Sequence, residues 1–346
     1  MGSIASWKTL LMGWVFIVAC TTIQAAPARS LVPKRLIPRD GPSPPSGTPT
    51  QKPSDWWCSP TLEQGFFGFS YEVDTCMSKT QIQSDFKLMR YMFGARYVRL
   101  YASCDNAGFM DIIISAAYNA GIGVYALIWF GFNGGNQWQS RRDSLIKTVK
   151  TNPLAPYVIR SIDVGSEPLF DQVLSPTALA AQVKYVQNAV HSYGVNVSIS
   201  EMPFGYTVQG NPAPVLNAID MLHINELPFF DKTATTGDNA WPSLNGSIST
   251  LVHQTGGTKK VVLTQTGWPT NTKVWPANSK KAVANVQSSK AYADLLDSKC
   301  EEMKVLGPNG GIGWFWQIWS DDMLTGWGLI DSNGLPKWTF APRTAC

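Results

Sequence analysis

From residue 66 onward, short runs rich in β-branched and aromatic residues alternate with stretches whose apolar residues recur three or four positions apart. The runs cover Phe66–Val73, Tyr97–Ala102, Gly121–Phe130, Tyr157–Gly165, Val197–Met202, Ile219–Leu227, Lys260–Gly267 and Ile312–Trp319. Ile82, Phe86, Met89 and Phe93 fall on one face of a predicted helix. So do Leu179, Val183, Val186 and Val190, introduced by Ser175-Pro176 as N-cap and first-turn proline. Eight strands alternating with helices in about 290 residues predict one (β/α)8 TIM barrel rather than an open sheet. Chemistry in such a barrel sits at the C-terminal ends of the strands.

The chain has 346 residues, 44% of them hydrophobic, enough for a sizeable core and too many for a small disulfide scaffold. Its net charge of +4 misleads. Five of the 28 basic residues but one of the 24 acidic ones lie in the first 40 positions, which leaves 23 of each beyond. A neutral remainder gives no reason to expect a nucleic-acid partner. Lys8 followed by an apolar run from Leu10 to Ala19, then small residues near Ala25, reads as a secretory signal peptide over residues 1–25. That run is too short to span a bilayer, and no later one reaches roughly 18 residues. Residues 26–55 are a leader and linker, ending in the Pro/Ser/Thr-rich tract GPSPPSGTPTQKPSD, and Lys34-Arg35 offers a dibasic processing site. The folded domain is expected over 56–346, secreted and monomeric, with sequons at Asn196 and Asn245.

Five cysteines remain after the signal: Cys58, Cys76, Cys104, Cys300 and Cys346. An odd count leaves at least one unpaired within the chain. Cys76 and Cys104 follow the first two strands, whose loops are neighbours on one face of a barrel, so that pair is the expected disulfide. His191, His223 and His253 stand apart, so neither structural zinc nor any other cofactor is expected. His223 reads as a barrel-strand residue. Gly307–Gly313 lacks the Lys-Ser/Thr of a phosphate loop and reads as a turn, and no G-x-S-x-G occurs.

The strand ends supply Tyr101 and Asp105, Trp129, Ser166 with Glu167, Glu201, Asn225 with Glu226, Gln265 with Trp268, and Trp319 with Asp321 and Asp322. Carboxylates and tryptophans concentrated at one end suit a carbohydrate groove, because sugar rings stack on indole and their hydroxyls bond to carboxylate and amide. Of these, Tyr101, Trp129, Ser166, Asn225, Trp268, Trp319 and Asp321 are the candidate sugar contacts. Glycoside hydrolysis needs one protonated carboxyl beside the leaving oxygen and a second carboxylate across the scissile bond.

Tyr97-Val-Arg-Leu-Tyr101, Asp163-Val-Gly-Ser-Glu167, Thr264-Gln-Thr-Gly-Trp-Pro269 and Trp327-Gly-Leu-Ile330 resemble the family 17 glycoside hydrolases, the endo-β-1,3-glucanases and related glucan transferases. The resemblance follows the strand order from about Phe66 to Trp338 and implies a β-glucan polysaccharide of the cell wall as substrate. It implies Glu167 as general acid/base, and it sets position 265 as the nucleophile. There the chain departs from the family: position 265 is Gln, and Ser166 replaces an asparagine. A carboxamide cannot bear the charge that attacks an oxocarbenium-like centre. Three readings follow. Glu201 or Glu226 replaces the nucleophile, or a substrate acetamido group attacks while Gln265 holds it, or the groove binds glucan without cleaving it.

Overall fold

The computed structural model describes residues 63–131, 135–271 and 275–344. The expected signal peptide, the leader, the domain's first residues, Cys58 and Cys346 lie outside them. The strands are β1 (Gly65–Glu72), β2 (Tyr97–Tyr101), β3 (Gly123–Ile128), β4 (Ile159–Ser166), β5 (Asn196–Glu201), β6 (Met221–Asn225), β7 (Lys260–Thr266) and β8 (Ile312–Trp316). All are parallel, and they close as β1-β2-β3-β4-β5-β6-β7-β8, with β8 paired back to β1. This is the (β/α)8 barrel the alternation predicts.

The longer outer helices are α1 (Lys79–Phe93), α2 (Phe109–Ala120), α3 (Gln137–Thr151), α4 (Pro176–Val190), α5 (Trp241–Gln254) and α6 (Val286–Ser298). Ile82, Phe86, Met89 and Phe93 of α1 and Leu179, Val183, Val186 and Val190 of α4 are buried against the strands, as their spacing requires. Ser175 caps α4 by accepting from the Ala178 N–H. Two predicted runs begin too early. Gly121 is the left-handed C-cap of α2 (φ 67°), and Tyr157 belongs to a helical turn, Ala155–Val158. Between β5 and β6 only the short helices Gly205–Val208 and Ala213–Ala218 occur.

Alternation along each strand sorts the barrel into an outer apolar shell and an inner stack. Phe67, Tyr97, Tyr125, Met221, Val262 and Phe315 form a separate apolar cluster that plugs the inside. Above it the interior turns polar: Asp163 of β4 meets His223 of β6 at 2.6 Å, and Arg99, Ser200 and Thr264 lie fully buried. Ladder register slips between Asp163 and Ser166, Ile224 and Asn225, and Leu263 and Thr266, all near the C-terminal strand ends. Bulges of this kind re-aim side chains beside active sites. Cys76 and Cys104 form the expected disulfide between the loops after β1 and β2, and Cys300 is also disulfide-bonded. Among the described residues no helix is long and apolar enough to cross a membrane.

Candidate active site

Glu167 follows the last residue of β4 in a left-handed conformation, φ 56°, a region that costs a side-chain-bearing residue energy and is populated at functional sites. Its N–H donates to the Ser200 carbonyl at 2.6 Å, which holds the residue over β5. The side chain meets a built polar network. Asn225 Nδ2 donates to Glu167 Oε1 at 3.0 Å and to Ser166 Oγ at 3.3 Å, while Asn225 Oδ1 accepts from Ser200 Oγ at 2.6 Å and Thr264 Oγ1 at 2.9 Å. Two hydroxyl donors on one side of the carboxamide leave its amino group aimed at Glu167. Arg99 Nη2 reaches Ser166 Oγ at 3.0 Å and Ser200 Oγ at 3.1 Å. Burial raises the Glu167 carboxyl above its ordinary value, and the Asn225 hydrogen bond and the Arg99 charge oppose that rise.

Gln265 pairs with Asn225 in the β6–β7 ladder and is almost wholly buried. Thr264 before it points inward to Asn225, and Thr266 after it points outward to the Tyr292 hydroxyl. Tyr101, closing β2, stacks edge-on against Trp129 at 5.2 Å, and the Arg99 guanidinium lies over its ring at 5.4 Å. Arg141 of α3 fixes this wall by a bidentate pair with Asp105 and a bond to the Trp129 carbonyl. Glu167, Ser166, Asn225, Tyr101 and Trp129 are thus brought together, and the Gln265 backbone lies beside Asn225.

The other expected residues are turned elsewhere. Glu201 lies one position beyond inward-facing Ser200 and points out of the barrel, where its carboxylate accepts from Leu169 N at 2.7 Å, Met202 N at 2.8 Å and Phe170 N at 3.3 Å. Gly205 is needed above it, since a Cβ there would lie 2.1 Å from the carboxylate. Glu226 also faces outward, bonded to Ser247 of α5, and burial raises its carboxyl to about 7. Neither replaces a nucleophile in the cleft, because strand alternation allows only Ser200 and Asn225 to face in. Trp268 is 0% exposed, packed on Phe229 with its indole N–H on the Val283 carbonyl, and Trp319 is wedged between Phe69 and Phe93. Neither indole has a free face for a sugar. Asp321 accepts from Gly326 N, Gly328 N and Lys337 Nζ and ties the loop after β8.

Three features escape a reading of motifs. Arg99 is a buried cation that organises the network, a role that its place in the Tyr97–Tyr101 motif does not disclose. Phe170 and Phe204, on the loops after β4 and β5, lie edge to face at 6.2 Å, with Phe204 54% exposed. Glu72 closes β1 in register with Tyr101. Among the described residues no group of three or more His, Cys, Asp or Glu side chains is placed to hold a metal ion.

A family model, the BtgE/BtgC glycoside hydrolase domain, matches residues 68–323. The chain belongs to that glycoside hydrolase family. Within the BtgE/BtgC-type domain the match runs from β1 to the loop after β8, so it includes every strand end named above. A probable family 17 glucosidase of Saccharomyces cerevisiae, SCW10, is 25% identical over 170 residues, covering 47% of this chain and 43% of that protein. A probable glucan endo-1,3-beta-glucosidase of Emericella nidulans, eglC, is 25% identical over 260 residues, 66% of this chain and 52% of that one. The chain thus spans about half the length of the curated relatives it matches. The crystal structure of a family 17 beta-1,3-glucanosyltransferase from Rhizomucor miehei superposes with a TM-score of 0.65 at 22% identity, over 80% of this chain and 97% of that one. That likeness is one of fold.

Proposed function

We propose that this glycoside hydrolase-family chain is a secreted protein that cleaves or transfers cell-wall β-1,3-glucan, with Glu167 as the general acid/base. The observation that carries the reading is the Glu167 carboxyl itself. It stands at the C-terminal mouth of the barrel, its carboxyl raised above the ordinary value by burial, with Asn225 fixing one oxygen. Relatives named as a glucan endo-1,3-beta-glucosidase and a beta-1,3-glucanosyltransferase support the substrate class. The Tyr101–Trp129 stack and Ser166 line the sugar side of the cleft, and the Cys76–Cys104 disulfide suits an oxidising, extracellular compartment. Residues 1–25 act as the signal and 26–55 as the leader.

Gln265 supports a second reading, a glucan-binding protein that does not cleave. Incubating the purified protein with laminarin and with chitin oligomers separates the readings. Laminarin cleavage that disappears in Glu167→Gln upholds the enzyme. Binding of laminarin without products from any variant favours the binder, and cleavage confined to chitin oligomers assigns the attack to a substrate acetamido group.

A further inference from the structure

Ser166 of β4 and Ser200 of β5 are ladder partners, and both side chains face inward, where Arg99 Nη2 reaches each hydroxyl. The next residue on each strand is a glutamate, and strict alternation would turn both outward. Only Glu201 obeys. At Glu167 the chain enters the left-handed region, φ 56°, and the carboxyl comes back to the cleft, where Asn225 Nδ2 donates to it at 3.0 Å. A side-chain-bearing residue stays in that region only where the structure around it fixes the turn.

Glu201 supplies the fixing. Pro168 follows Glu167 and has no N–H to donate. The next two N–H groups, those of Leu169 and Phe170, both donate to Glu201 Oε2, at 2.7 and 3.3 Å, while Oε1 accepts from Met202 N at 2.8 Å. The turn then closes on itself: Asp171 N donates to the Glu167 carbonyl at 2.9 Å, and Val173 N to the Pro168 carbonyl at 3.1 Å. Glu201 is confined from the other side as well. It is fully buried, and the three atoms nearest to a Cβ built on Gly205 all belong to its side chain, Oε1 at 2.1 Å and Cδ at 2.4 Å among them. Burial raises its carboxyl well above the ordinary value and the Glu167 charge raises it further, against the three backbone N–H groups, so the two carboxyls act on each other.

We infer that Glu201 is the positioning residue of the general acid: by holding the Leu169 and Phe170 N–H groups it fixes the left-handed turn that swings Glu167 into the cleft. This rests on the enzymatic reading above. Glu201 itself touches no reacting atom. It sets the place at which Glu167 offers its proton. A displaced acid slows the departure of a sugar hydroxyl, which must be protonated as it leaves, and scarcely slows a leaving group that departs as a stable anion.

The test compares wild type, Glu201→Gln, Gly205→Ala and Glu167→Gln on laminarin oligosaccharides and on 2,4-dinitrophenyl β-laminaribioside, whose phenolate departs without a proton. In Glu201→Gln one oxygen still accepts, and an amino group replaces the other opposite an N–H donor. Gly205→Ala keeps the Glu201 carboxylate and displaces it. In both variants kcat/KM should fall about a hundredfold on the oligosaccharides and stay within about threefold of wild type on the aryl glycoside, the same selectivity that Glu167→Gln shows more strongly. Hydrogen exchange measured on the full chain should quicken at the Leu169 and Phe170 amides in both variants and stay unchanged in β1 to β3. Equal falls on the two substrates in either folded variant, or exchange at those amides no faster than in wild type, would overturn the positioning role while the enzymatic reading stands. If wild type cleaves neither substrate, the enzymatic reading fails and the positioning role fails with it.

Discussion

A carboxyl and a carboxamide differ by one proton-bearing group, and two positions in the cleft turn on that difference. Glu167→Gln keeps the hydrogen-bonding shape beside Asn225 but removes the transferable proton. Laminarin turnover should drop by about 10²–10⁴-fold with the melting temperature nearly unchanged. A variant with more than a few per cent of wild-type rate removes Glu167 from the acid role. Gln265→Glu is the converse experiment. It adds a negative charge opposite Asn225, on the side of the cleft where the family pattern has its nucleophile. Like charge raises the Glu167 carboxyl further, and an attacking group becomes available. Products of retained configuration should then appear, as read by proton NMR of the first-formed anomer, and their absence would count against position 265 as a reacting position. Glu167 and Gln265 are legible from their motifs. The part played by Glu201 is not, because nothing in its sequence neighbours distinguishes it from a cleft carboxylate until its bonds to the β4 loop are known.

At the scale of elements, the loops after the strands decide which aromatics meet solvent. Trp268 and Phe204 make a paired comparison. Trp268 fills the space between β7 and α6 against Phe229 and Tyr292, so Trp268→Ala should destabilise the fold by about 3–5 kcal/mol. Phe204→Ala should leave the unfolding free energy from denaturant titration within about 0.5 kcal/mol of wild type, since its ring is largely exposed. Equal loss of stability in both variants would show that Phe204 is a core residue after all. Trp268 and Trp319, at strand ends, satisfied the composition signal for a sugar groove as well as Trp129 did. Composition does not say which side of the barrel wall an indole occupies, and packing put Trp268 and Trp319 behind it. The disulfide is different in kind. It closes a separation of 28 residues between the loops that follow Glu72 and Tyr101, and its removal in a Cys76→Ser/Cys104→Ser double variant, which leaves the Cys300 disulfide intact, should cost about 3–4 kcal/mol, read from urea titrations.

The whole molecule carries a pH signature. Glu226 is held protonated between β6 and α5 until about 7, whereas in the unfolded chain it ionises near the ordinary 4.5. The folded state binds the proton more tightly, so the contribution of this carboxyl to stability is greatest below 4.5, declines as pH rises toward 7 and levels off above. Glu226→Gln should flatten that decline by on the order of 3 kcal/mol, and an unaltered slope in urea titrations across the interval would refute the burial of this carboxyl. The same distinction between local and non-local information separates what each source of knowledge decided. The amino-acid sequence by itself determined the eight strands, the buried faces of α1 and α4, the disulfide between adjacent loops, and the glycoside hydrolase motifs. Each depends on periodicity or on spacing within one or two neighbouring elements. The tertiary structure alone decided that Glu201 caps the β4 loop, that Glu226 faces α5, and that Asn225 faces Glu167. Those outcomes depend on the phase of the in-and-out alternation along each strand, and a shift of one residue moves a side chain from the cleft to the outer wall.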